Sequence, residues 1–293
     1  MTQIAANGIT LEYEAYGDPA NPPMLLIMGL GAQLTLWPIE LVEALVARGY
    51  YVIRHDNRDI GLSQKFDSAG LPDMVAIGMA MMTGKVPPVA YTIADMAADA
   101  VGLLDALGIA KAHIVGASMG GMIAQHVAAS HPERVLSLTS IMSTTGNRAL
   151  PAATPEAMAA LTTRAEPGAA FEAVLPIGLH VARTIGSPAY PADVARLRDR
   201  IERDFARSFY PVGAARQFAA IMADGDRREL LKKVTAPTLV IHGEADPLVP
   251  VEGGKDTAAS IAGAKLHLIP GMGHDLPLEL VDEVADAIAG VAK

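Results

Sequence analysis

The 293-residue sequence contains no cysteine. That absence excludes disulfide staples, thiolate nucleophiles and cysteine-based zinc sites. The net charge is −9 and no basic run interrupts the chain, so nucleic acid and anionic membrane surfaces are not expected as partners. Long apolar runs are missing too. The richest, Met74 to Ala90, is broken by Gly78, Gly84, Lys85 and the pair Pro87-Pro88, which leaves no stretch of membrane-spanning length. Met1 to Gly8 lacks the charged and apolar regions of a secretory signal, and a soluble cytoplasmic protein is the expectation. No His-Glu-x-x-His or other metal spacing occurs, and neither a metal nor an organic cofactor is expected.

What is present is a 51% hydrophobic chain, enough for one sizeable core with or without a smaller lobe, as a monomer or a homodimer. Its most informative stretch is Gly116-Ala117-Ser118-Met119-Gly120-Gly121. It follows the apolar run His113-Ile114-Val115 and opens a helical stretch from Met122 to Ser130. A Gly-x-Ser-x-Gly turn between strand and helix forces the serine backbone into a strained conformation and lifts its hydroxyl above a sheet. The positions two before and two after must be very small, because backbone passes where a Cβ would sit. Both are glycine here. The bland alternative is an incidental glycine-rich turn; the strand before it and the helix after it favour Ser118 as a nucleophile.

The first 145 residues alternate strand-like and helix-like runs. Strands are expected over Ile9–Tyr16, Met24–Met28, Tyr50–Arg54 and Val135–Ile141, and helices over Trp37–Arg48 and Thr92–Leu107, the latter followed by Gly108 as a C-terminal cap. That alternation predicts a parallel sheet with helices on both faces. Between residues 146 and 234 the pattern turns to alanine-rich helices punctuated by prolines, among them Pro155 and Pro176. Strand patterns resume at Pro237–His242 and Ala264–Ile269, and a helix closes over Leu278–Val291. The predicted organisation is a core of 1–145 and 235–293 interrupted by a helical cap, 146–234.

A serine hydroxyl needs a neighbouring base to become nucleophilic. In this architecture the order is Ser, acid, His, with the partners on loops after later strands. Asp246, in His242-Gly243-Glu244-Ala245-Asp246-Pro247, and His274, in Pro270-Gly271-Met272-Gly273-His274-Asp275, lie on glycine-rich loops where open α/β sheets place their sites. His274 would take and return the Ser118 proton, and Asp246 would fix its tautomer. The bland alternatives are a surface-loop histidine and a turn-forming aspartate. Glu244 is the rival acid, though Asp246-Pro247 fixes a turn that aims the carboxylate across the sheet. The other seven histidines read as structural or exposed; His55, His126 and His180 have no carboxylate or serine partner in sequence context.

The oxyanion needs preorganised donors. The backbone N–H of Met119 is one, and that of Leu30, in Met28-Gly29-Leu30-Gly31, is expected to be the other. Gly29-x-Gly31 after a strand also suggests a dinucleotide fingerprint, but position 34 is leucine and no acidic residue stands at the end of the next strand until Asp56.

Together these residues resemble the α/β-hydrolase fold family over nearly the whole chain. The likeness extends to Asp56-Asn57-Arg58-Asp59-Ile60-Gly61-Leu62-Ser63, Ser130-His131-Pro132-Glu133-Arg134-Val135 and Pro237-Thr238-Leu239-Val240-Ile241-His242-Gly243. Met28-Gly29-Leu30-Gly31 and Gly271-Met272-Gly273-His274-Asp275 are similar to bacterial serine esterases of the aclacinomycin-methylesterase type. The resemblance implies a mostly parallel eight-stranded sheet under a helical cap. It also implies a carboxylic ester hydrolase working through an acyl-enzyme, with the triad on Ser118, Asp246 and His274. Two positions depart from the family: Met28-Gly29 stands where His-Gly is frequent, and Asp59 where Gly is frequent. Asp56 and Arg58 read as structural. Dehalogenases and epoxide hydrolases of this fold use aspartate as nucleophile, which Ser118 excludes.

Lactonases and cofactor-free perhydrolases share the triad, and a ligand-sensing protein with slow turnover shares the fold. The expected ligand is a small to medium apolar ester. Phe171, Val174, Leu175, Ile177, Leu179, Phe205, Phe209, Tyr210 and Phe218 are cap residues that either line its pocket or pack the cap on the core. Residues 71–90, rich in methionine, are expected to form a flexible pocket wall.

Overall fold

The computed structural model of the protein describes residues 2–291. Asn7 and Gly8, at φ 49° and 76°, make the two-residue turn that joins β1 (Thr2–Ala6) to β2 (Ile9–Tyr16). Positive φ at both central residues matches the right-handed twist of a hairpin. The sequence reading had passed over β1. After β2 come β3 (Pro23–Ile27), α1 (Ile39–Ala47), β4 (Tyr51–His55), α2 (Met74–Met82), α3 (Ile93–Ala106), β5 (Ala112–Ala117), α4 (Met119–Ser130) and β6 (Val135–Ile141). Helices α5 (Pro155–Thr162), α6 (Phe171–Ile185), α7 (Val194–Arg207), α8 (Pro211–Asp224) and α9 (Arg228–Leu231) follow. The chain then re-enters the sheet with β7 (Thr238–Gly243), α10 (Val251–Ser260), β8 (Lys265–Ile269) and α11 (Val281–Val291).

The eight strands form one sheet in the order β1-β2-β4-β3-β5-β6-β7-β8. The β1–β2 and β2–β4 pairs are antiparallel and all the others parallel. This is the α/β-hydrolase architecture that the sequence implied. The central strand β3 is apolar at every position because both faces of the sheet are covered. Leu25, Ile27, Ile53 and Ile114 pack against Met96 and Ala100 of α3 and Ile123 and Val127 of α4. Met24, Leu26, Val52 and Val115 pack on the opposite face against Leu41 and Leu45 of α1 and Val284 and Ile288 of α11. Each such side chain contributes roughly 1.5–3 kcal/mol over its exposed state.

Local signals set the helix ends. Thr92 caps α3 through the Asp95 amide, and the Asp95 carboxylate returns a bond to the Thr92 amide. Gly108, at φ 70°, lets the chain turn away after α3. Pro155 and Pro211 sit in the first turns of α5 and α8, where no amide hydrogen is missed. Pro176 is different: it lies inside α6, which continues past it. The helices α5–α9 fill the whole interval between β6 and its sheet neighbour β7. No helix among the described residues is long and apolar enough to cross a membrane.

Candidate active site

Ser118 connects β5 to α4 with φ 57° and ψ −121°, outside the helical and extended regions. The glycines around it have no space for a side chain. A Cβ on Gly116 would lie 2.0 Å from the Gly120 carbonyl oxygen, one on Gly120 2.0 Å from that of Ile27, and one on Gly121 2.5 Å from the Ser143 Cβ. The Ser118 amide donates to the Ile141 carbonyl at 2.9 Å, and the Ser143 hydroxyl donates to the Ser118 carbonyl at 2.9 Å. Strand, turn and helix thus hold the nucleophile candidate on one short, heavily bonded corner.

The three candidates from distant parts of the chain converge. His274 Nε2 lies 3.0 Å from Ser118 Oγ, and His274 Nδ1 lies 2.7 Å from Asp246 Oδ2. A carboxylate only accepts, so Nδ1 carries the proton and Nε2 is free to accept the serine's. The other Asp246 oxygen accepts from the Leu248 and Val249 amides at 2.9 and 2.8 Å, which aims the buried carboxylate at the imidazole. Glu244 points to solvent and makes no such contact. Beside Asp246, His242 Nε2 donates to the Val249 carbonyl at 2.7 Å. It stands 3.7 Å from Asp246 Oδ2, and burial lowers its pKa, so the second imidazole is held neutral.

The loop after β3 runs against the serine. A Cβ on Gly29 would lie 3.0 Å from Ser118 Cβ and 3.4 Å from its Oγ. Asn57 Nδ2 donates to the Met28 carbonyl at 2.8 Å, the Gly31 amide to Gln217 Oε1 at 2.8 Å, and the Leu34 amide to Asp56 Oδ1 at 2.7 Å. The Leu30 amide has no partner among the described residues, and Met119 begins α4, so its amide has no carbonyl one turn back. Neither amide has a protein acceptor among the described residues. The loop departs from the family at Met28, and asparagine and glutamine side chains brace it instead.

Two further contacts escaped the sequence reading. From the end of α6 the Ile185 carbonyl accepts the His274 amide at 2.7 Å, and from the link to α7 Ser187 Oγ accepts the Gly273 amide at 2.8 Å. Ser187 in turn donates to Asp275, whose carboxyl burial pushes upward and that hydrogen bond pulls back. From α8, Gln217, fully buried, bridges the Gly31 amide and the Arg58 carbonyl, the latter at 2.9 Å. Neither serine nor glutamine sits in a motif, and only the tertiary fold brings them to the site.

Asp56 and Arg58 are structural, as read. Arg58 pairs with Asp99 at 2.6 Å and Asp56 with Arg207 at 2.6 Å. Asp59 adopts φ 70°, the conformation for which glycine is usual, and its carboxylate is fixed by Arg216 at 2.7 and 2.8 Å. His126, without a partner in its own stretch, gains one through the fold in Asp224 at 2.8 Å. Within residues 146–234, Phe171, Phe205 and Phe209 form a cluster of tilted rings with centroids 5.5 and 5.3 Å apart. Leu71, Pro72 and Val89 border a separate cleft of about 330 Å³ with Arg216 and Ala219, which none of Ser118, Asp246 and His274 lines.

Comparison with known proteins fits this geometry. Residues 22–279 match the family model described as alpha/beta hydrolase fold. The chain is 31% identical to a rhodomycin D methylesterase of Streptomyces peucetius, over 97% of this chain and 95% of that protein. It is 25% identical to 3-oxoadipate enol-lactonase 2 of Acinetobacter baylyi, over 91% of this chain and 87% of that one. The crystal structure of the enol-lactonase from Burkholderia xenovorans LB400 superposes with a TM-score of 0.73 at 25% identity, covering 99% of each chain.

Proposed function

The chain belongs to the α/β-hydrolase fold family, and from that premise we propose that it cleaves small to medium apolar carboxylic esters through an acyl-enzyme on Ser118. The observation that carries this reading is the single imidazole spanning Ser118 and Asp246 at hydrogen-bond distance on both sides. Relatives described as a methylesterase and a lactonase, matched over nearly their full length, support ester-bond hydrolysis as the reaction class.

In the first half-reaction Ser118 Oγ attacks the ester carbonyl while His274 Nε2 takes its proton. The carbonyl oxygen gains charge and is met by the Leu30 and Met119 amides. As the intermediate collapses, His274 returns the proton to the departing alkoxide, which leaves as an alcohol. Water then repeats the sequence on the acyl-enzyme: His274 takes its proton, and Ser118 is regenerated as the acid departs. Asp246 stabilises the transient imidazolium throughout. Every proton and charge is handled by these five residues, and the mechanism calls for no cofactor. Helices α5–α9, residues 146–234, act as the cap that roofs the bound ester.

A fluorophosphonate probe tests the proposal. Rapid labelling of the wild type that disappears in Ser118→Ala supports it. Undiminished hydrolysis of p-nitrophenyl esters by Ser118→Ala would refute it. A parallel panel of esters, lactones and amides assigns the preferred acyl bond.

A further inference from the structure

The surface least suited to water lies on α2 and its flanks. Leu71 and Val75 are each 73% exposed, Met79 63%, Met82 88% and Val86 91%. Within the helix, Val75, Met79 and Met82 recur at intervals of four and three, which places them in one stripe. Ile77 and Ala80 are buried on the opposite side, so α2 is anchored by one face while its other apolar face is open. Gly78 lies at the edge of the open stripe, and a Cβ built there would meet no atom within 4 Å. Between Gly70 and Tyr91 the only charged residues are Asp73, the cap before α2, and Lys85, just past its end.

We propose that this stripe is the self-association face of a two-fold dimer, with α2 packing antiparallel on its copy about Gly78 and Met79. The charges favour a second copy as the occupant. Asp73 and Lys85 flank the helix at nearly equal distances from its middle, so an antiparallel pairing sets Asp73 beside Lys85 of the partner subunit, twice over. A two-fold interface uses the same patch on both chains and demands this self-complementarity. A standard interface buries about 800 Å² on each partner, and the exposed Leu71 and Val86 on either side of α2 extend the apolar surface beyond the helix itself. Gly78 supplies the close backbone approach that a tight helix crossing needs. A lipid surface fits poorly, since the stripe carries a single cation on a protein of net charge −9.

The absence of native cysteine makes the test clean. In sedimentation or light scattering the wild type should be a dimer at micromolar concentration. Met79→Glu should weaken association by at least about a hundred-fold, because a charge would be buried unpaired at the crossing. On mild oxidation Gly78→Cys should form an intermolecular disulfide. Met82→Cys should not, because the two-fold carries its copies apart along the helix axis beyond disulfide reach. Circular dichroism confirms that each variant is folded. A monomeric wild type at all concentrations would overturn the proposal, as would Gly78→Cys cross-linking no faster than the exposed control Ala262→Cys. Monomers that bind phosphatidylcholine vesicles would overturn it too, by giving the stripe to a lipid surface.

Discussion

Gln217 Oε1 accepts a hydrogen bond from the Gly31 amide at 2.8 Å across 186 residues of sequence. The helical insertion thereby holds the loop whose Leu30 amide is proposed to meet the substrate. Gln217→Leu would leave the Gly31 amide and the Arg58 carbonyl unpaired and let that loop drift. Deleting an oxyanion donor outright costs 10²–10³ in kcat, so loosening one is expected to cost about 10- to 100-fold with little change in KM. Steady-state kinetics on p-nitrophenyl acetate check this. A rise in KM at constant kcat would show that Gln217 acts on binding alone.

The triad members should fail unequally. By analogy with other triad enzymes, Ser118→Ala should lower kcat by about a million-fold and Asp246→Asn by about ten-thousand-fold, since asparagine imposes the wrong imidazole tautomer. Glu244→Gln, altering an exposed carboxylate, should leave kcat unchanged. If Glu244→Gln were the damaging variant, the acid would be misassigned.

Ser187 receives the Gly273 amide proton, so its own hydroxyl proton is directed to Asp275. That bond fixes the residues on either side of His274. Ser187→Ala should reduce kcat about tenfold, counted per fluorophosphonate-titrated site, because small misplacements of a catalytic group are costly. Ser187→Thr, which keeps the hydroxyl, should recover part of the loss. Equal kcat per titrated site in wild type and Ser187→Ala would reduce Ser187 to a packing residue.

Stability should fall in acid, and His55 is one cause. Burial lowers its pKa from 6.5 to about 4. Above pH 6.5 folded and unfolded chains both carry it neutral. Below that, the unfolded chain takes up a proton that the folded chain excludes, so stability declines from pH 6.5 toward 4. The loss approaches about 3 kcal/mol at the acid end, at roughly 1.4 kcal/mol per pH unit. His113 and His242, also lowered by burial, push the same way. Urea unfolding at pH 7 and pH 5 should give a smaller difference for His55→Gln than for wild type. An unchanged difference would remove His55 from the account.

The core was legible because its signals are local. Val135–Ile141 coincides with β6, and the Thr92 to Leu107 periodicity brackets α3 with its cap. The serine turn was readable because sterics leave glycine alone at positions 116 and 120. Ser118, Asp246 and His274 were found through chain order and loop composition, and the fold brings all three together. What stayed hidden depends on long-range pairing. Gln217 lies within α8 and Ser187 in the link between α6 and α7, and neither local pattern says anything about their partners. The edge strand β1 was overlooked although Asn7-Gly8 marks a hairpin. For residues 71–90, apolar composition states that a surface needs covering without saying by what.

The interval between β6 and β7 begins and ends on neighbouring strands, yet in between it touches two separate loops, through Gln217 and through Ser187. Exchanging this interval for that of a relative, as a way to retune chain-length selectivity, therefore transplants two struts of the proposed machinery along with the proposed roof. A chimera that keeps glutamine and serine at those two points should stay active, whereas one that matches only the length should fold and idle.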